Sequence, residues 1–305
     1  MKTNYWIAAI VVLTISTSCR FAHCQDSVGT NRDFPNRPAT IPTTETADVI
    51  LAQYGLSKAN KQAVKLSSLE PKSYEAIYGQ RAVLAGRYKI AIEKLDTAIE
   101  QREDLAFSYY WRGMAKTSIG ECKEATKDYF RALIHEPNLL AAMNNIAWIY
   151  ATDPRPSVRY PSEAVKYARM ACIATGWKDG FYLDTLATSY AASGNFDSAV
   201  SYQKKAASLA PKGYEDEINE RLRQFKRGYA YRQPIERRLG DPGQPQGFGA
   251  ILAITDSYVT YRKDGGDSIL NRKHVSKGDN EFLDRLSKEV AKGVDLRERW
   301  VKVKR

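Results

Sequence analysis

Between residues 72 and 213 apolar side chains return every three or four positions, the spacing that gathers them on one face of a helix. The pattern also repeats at long range. Laid over each other, Leu84–Glu100 (LAGRYKIAIEKLDTAIE) and Ser118–Pro137 (SIGECKEATKDYFRALIHEP) place Gly86 on Gly120, Ala91 on Ala125 and Ala98 on Ala132, each pair 34 residues apart. Ala192–Pro211 carries Gly194, Phe196, Ala199, Ala206 and Pro211 in the same places, and Tyr160–Gly176 carries Ala164 and Ala171 in the two alanine places. These positions predict antiparallel helix pairs. Glycine at the turn can take a positive φ, alanine at fixed steps lets the helices approach while Tyr, Phe and Leu fill the gaps, and proline stops the second helix.

Four units follow, at 72–105, 106–139, 140–178 and 180–213, with Gly79, Gly113, Ala147 and Ala187 in the small place of each first helix. From Ala132 to Ala171 the step is 39 residues, and the excess falls in Ala151–Ala164 (ATDPRPSVRYPSEA). That stretch reads as the turn of the third unit, enlarged by about five residues rather than a linker. Its prolines end the first helix at Tyr150 or Ala151, and Ser162 is the expected N-cap of the second.

Taken together, these residues resemble the tetratricopeptide repeat. The resemblance implies an all-α fold, an α-solenoid in which antiparallel helix pairs form a right-handed superhelix whose concave wall is lined mainly by the first helices. Residues 144–211, with IAWIYATDPRP at Ile146–Pro156 and TGWKDGFYLDTLA at Thr175–Ala187, resemble a subtype of that repeat found in exported bacterial proteins.

The flanks read differently. Met1-Lys2 and the apolar run Tyr5–Ile15, followed by small residues, have the layout of a signal peptide over 1–24. Cleavage after Cys24 is expected; Cys19, after a small-residue run that resembles a lipobox with Ser16 in place of Leu, is the alternative, a lipid anchor. Residues 25–46 are polar and rich in Pro and Thr, a disordered tether. Residues 47–71 read as a helical N-terminal cap or a degenerate repeat, and 214–238 as a capping helix with Ile218, Leu222 and Phe225 on one face. The remainder, 239–305, begins as a Gly/Pro linker and resembles no family. Within it Ala250–Ser268 reads as a hairpin turning at Gly265-Gly266, and Asp279–Gly293 as an amphipathic helix through Phe282, Leu283, Leu286 and Val290.

Composition adds little until the chemistry is sought. The 305 residues carry a formal net charge of +11, which suits an anionic surface or an acidic partner as well as a plain solvated surface. Export makes nucleic acid the wrong partner. The three histidines lack metal spacing, no nucleophile or phosphate-loop motif occurs, and no cofactor is implied. Cys122 and Cys172, placed at opposite ends of neighbouring helices, lie too far apart to bridge. The second, fifth and ninth positions of each first helix nominate a partner-binding groove: Phe107, Tyr110 and Met114, then Ala141, Asn144 and Trp148, then Phe181, Asp184 and Thr188. Tyr110, Asn144 and Asp184 are expected to be exposed there, whereas Trp148 and Phe181 pack between units. The carboxylate clamp of some repeat proteins is absent, because its places hold Ala76, Gln80 and Met114. The expected role is an exported, non-catalytic scaffold for a protein or peptide. The alternatives are an enzyme or accessory subunit with its activity in 240–305, and a lipid-anchored envelope assembly factor attached to the membrane at Cys19.

Overall fold

The computed structural model describes residues 64–210, 213–233, 236–238, 248–256, 258–263, 266–272, 275–297 and 299–303. The expected signal peptide with Cys19, the tether and residues 47–63 lie outside the described residues, as do the linker at 239–247 and the pair 264–265.

Four helix pairs build a tetratricopeptide-like α-solenoid: α1 (Tyr74–Leu84) with α2 (Tyr88–Glu100), α3 (Leu105–Ser118) with α4 (Cys122–His135), α5 (Leu140–Thr152) with α6 (Pro161–Ala174), and α7 (Gly180–Ala192) with α8 (Phe196–Ser208). The turn glycines Gly86, Gly120 and Gly194 all take positive φ, which closes each short turn without Cβ strain. The small places do what their size allows. A Cβ on Gly113 would stand 2.8 Å from the Tyr129 ring, so the glycine is what lets α3 and α4 touch. The same step is occupied by Ala147 and Ala187, both fully buried.

The third turn is ordered by its own charges. Arg155 and Asp153 form a buried bidentate ion pair, Nε to Oδ1 at 2.9 Å and Nη2 to Oδ2 at 2.7 Å. Arg159 donates to the Asp153 and Pro154 carbonyls. Helix α6 starts at Pro161 with Tyr160 as N-cap, not at Ser162. Proline suits the first helical position because its φ is already helical and the N–H it lacks would have no partner.

Upstream of α1 the described chain begins at Val64 in an extended conformation. Val64 N–H donates to Asn138 O and Val64 O accepts from Leu140 N–H, before a single turn at Leu66–Ser68. Asp104 then takes the Lys72 and Ser73 amides on its carboxylate at 2.7 Å, tying the first pair to the second. Tyr74 of α1 is 69% exposed, whereas Ser108 and Ala142 at the same step are fully buried against the preceding pair.

After the solenoid, α9 (Glu215–Lys226) caps the fourth pair through Ile218 and Phe225, both fully buried. The chain then leaves helical structure. Strand β1 (Tyr229–Tyr231) pairs antiparallel with β6 (Trp300–Lys302), matching Ala230 with Val301. Between them lies a folded unit that the sequence left unassigned: an antiparallel sheet of β2 (Glu236–Arg238), β3 (Phe248–Ile254), β4 (Tyr258–Lys263) and β5 (Gly266–Asn271), in that order, with α10 (Lys277–Ala291). Its core joins Ile251, Val259, Tyr261 and Leu270 to Phe282, Leu283 and Leu286 of α10. The expected hairpin is present as β4–β5, but Lys263 pairs with Gly266, so Gly266 belongs to the strand and not the turn.

Candidate functional site

The nine nominated residues lie on the first helices α3, α5 and α7, and the chain itself covers most of them. Phe107, Tyr110 and Met114 of α3 are buried, closing with Trp111 and Tyr129 into an aromatic cluster. The Tyr110 ring meets Trp111 edge-on at 5.6 Å, and Met114 Sδ accepts from Tyr129 Oη at 3.3 Å and Asn145 Nδ2 at 3.1 Å. The expectation of an exposed Tyr110 is therefore corrected. An aromatic ring at that step is large enough to reach the next pair, and burying it there is worth more than leaving it in water.

Asp184 is corrected as well. The residue is 6% exposed, and its carboxylate receives Gln203 Nε2 at 2.6 Å and Arg221 Nε at 2.8 Å. Burial pulls the Arg221 guanidinium down, and Asp184 more than offsets it, holding the group above its ordinary value. A carboxylate on the wall thus anchors the capping helix rather than a ligand. Thr188 is fully buried one turn further along α7; Ala141 and Asn144 are half-buried. Phe181 packs edge-on against Tyr214 at 5.0 Å, as expected of a residue between units.

Trp148 shows what lies over the wall. Its ring sits 5.9 Å from that of Tyr231, and the Arg221 guanidinium lies 5.7 Å from the Trp148 ring centre and 6.0 Å from that of Tyr231. The indole N–H donates to Gln233 Oε1. Gln233 N–H donates to Thr152 O at 2.9 Å, one of the carbonyls that the end of α5 leaves open. Arg232 Nη1 reaches Ala151 O at 3.4 Å. An extended stretch of five residues, Tyr229–Gln233, therefore occupies the wall of α5 and α7 through an aromatic, a main-chain amide and a side-chain amide. On its far side Arg232 N–H donates to Arg299 O, and β6 runs alongside.

Two polar atoms of this wall are not matched. Among the described residues, Asn144 Oδ1, one turn before Trp148, and Thr188 Oγ1, one turn after Asp184, are buried without a hydrogen-bond partner. Arg221, Tyr231, Arg232 and Gln233 escaped the sequence reading because they lie beyond the last repeat, where the 34-residue spacing gives no alignment. The one available signal was the pair of aromatics at Tyr229 and Tyr231 directly after a capping helix.

Elsewhere, among the described residues, no group of His, Cys, Asp and Glu stands close enough to hold a metal ion, and no helix is long and apolar enough to cross a membrane. Asp179, next to the repeat motif, is an N-cap whose carboxylate accepts from Phe181 N–H at 2.9 Å. Cys122 and Cys172 are buried and unbridged. Burial pushes the Cys172 thiol up to about 12.

No protein-family model matches the chain. No curated protein matches it either. Two solved structures are similar over about half of it. A MamA point mutant is 21% identical, with 50% of this chain and 80% of that one covered and a TM-score of 0.41. A second MamA structure, labelled AMB-1, is 21% identical, with 51% and 88% covered and a TM-score of 0.39.

Proposed function

We propose that the chain is a non-catalytic interaction scaffold that holds an extended protein segment against the wall of its first helices. One observation carries this reading: the wall of α5 and α7 already holds an extended backbone, Tyr229–Gln233, by contacts that any peptide of similar chemistry can make. The residues doing so are Trp148, Thr152 and, through Arg221, Asp184. Activity in the 240–305 segment is the weaker reading. Its polar cluster is spent internally, with Arg272 donating to Asn280 Oδ1, Asp284 Oδ1 and the Thr255 carbonyl.

A photo-crosslinking residue at position 144, compared with one at 127 on the outer face of α4, tests the scaffold. The expected result is an adduct to one defined segment of another protein from 144 and none from 127. Adducts confined to residues 229–233 of the same chain, in every extract tried, would refute it. Export belongs to the same proposal and rests on residues 1–24. A mature N-terminus at Gln25 supports cleavage, and a lipidated Cys19 would move the scaffold to a membrane surface.

A further inference from the structure

The strand over the wall is tethered on both sides, yet its fit is incomplete. Among the described residues, the buried acceptor oxygens of Thr188 and Asn144 lack partners, and each lies one turn along its helix from a residue in the contacts around Tyr229–Gln233: Asp184, which holds Arg221, and Trp148. A segment that had only to cap the solenoid could have covered these positions with apolar contact. A buried polar atom left unmatched is a standing cost, and a tethered ligand tolerates that cost because its effective concentration is in the millimolar range. A separate chain gains no such advantage and must fit better to compete.

We infer that Tyr229–Gln233 is an intramolecular occupant of a peptide site, holding the α5–α7 wall closed until an extended partner segment displaces it. The inference rests on the scaffold reading above. The partner is an extended peptide with an aromatic residue and, two positions on, a side-chain amide, as Tyr231 and Gln233 present them. It also offers hydrogen-bond donors to Asn144 and Thr188. Release requires β1 to part from β6, so the closure is locked by the pairing of Ala230 with Val301 and by Arg232 N–H on Arg299 O.

The probe is a fluorescein-labelled peptide of sequence RGYAYRQ, residues 227–233, followed by anisotropy. Two opened forms of the full chain are compared with wild type. Tyr231→Ala/Gln233→Ala weakens the occupant itself, and Val301→Pro disrupts the β6 ladder that pins Ala230 while leaving every residue of the wall and of the occupant unchanged. Both are expected to bind the probe at least tenfold more tightly than wild type, and adding Trp148→Ala to either should abolish that gain. Equal binding to wild type and both opened forms overturns the closure but leaves the wall as a peptide site. No binding to either opened form, with native circular dichroism, also overturns it. The crosslink from position 144 then decides the scaffold reading on its own.

Discussion

Asp184→Ala offers a direct measure of how the solenoid holds its cap. The carboxylate sits between α7, α8 and α9, with Gln203 at 2.6 Å and Arg221 at 2.8 Å. Arg221 is itself 9% exposed, so removing Asp184 strands a guanidinium away from water, facing the Trp148 and Tyr231 rings and, at 3.8 Å, the Glu217 carboxylate. Breaking a buried pair from one side costs about 3–5 kcal/mol. For a cooperative unit of this size that is a fall in Tm of roughly 6–20 °C. Removing both charges is a different perturbation. Asp184→Leu/Arg221→Met leaves no uncompensated ion, and apolar replacements of similar volume are often neutral. Urea denaturation followed by far-UV circular dichroism gives both values and their coupling. A loss below about 1 kcal/mol for Asp184→Ala, or a double variant no more stable than the single one, would refute the assignment of Asp184 as a buried structural anchor.

Other outcomes follow from the same geometry. Asp128 is fully buried and takes Arg112 at 2.6 Å and Lys116 at 2.8 Å, so Asp128→Ala should cost about 3 kcal/mol in denaturant unfolding, far more than an exposed pair. Gly113→Ala drives a methyl to 2.8 Å from a Tyr129 ring whose hydroxyl is held by Thr117, and overpacking of about 1–3 kcal/mol should exceed the gain in helix propensity. Cys172 should resist a thiol reagent at pH 8 until the chain unfolds. The folded thiol stays protonated to about 12, whereas the unfolded one ionises near 9, so it contributes stability in full below pH 9 and loses it as pH rises towards 12. Arg155→Ala should lower Tm by several degrees although it lies in a turn, because Asp153 would be left buried and unpaired.

The solenoid was legible because its geometry is periodic. Alanines and glycines at fixed steps are required wherever helices touch, and they mark the sequence at the pitch of the structure. The wall was only half legible. Asn144 and Trp148 lie on α5 and Asp184 and Thr188 on α7, as the repeat spacing places them, yet spacing says nothing of what covers them. The partner of Asp184 lies 37 residues away on a helix whose apolar pattern points Leu222 inward. In the structure α9 is turned so that Arg221 is buried and Leu222 half-buried, because the carboxylate on α7 demands a cation. The C-terminal sheet was obscured for another reason. The pairing of β3 with β4 slips between Ile251 and Ala253, so Ile251 and Leu252 are both buried and the alternation that marks a strand is lost.

The β1–β6 ribbon also bears on the order in which the chain folds. Within the solenoid each pair rests on its neighbour, so its contacts close short loops and can form from any point outward. The ribbon joins Tyr229 to Lys302 and must wait for the whole intervening unit to come round. Loop closure over that span is slow compared with helix pairing. A refolding chain therefore passes through a stage in which four helix pairs are formed and the Trp148 indole is still without Gln233. In a chain whose other tryptophans are replaced by phenylalanine, Trp148 fluorescence should report that stage as a late phase, separate from the recovery of helix.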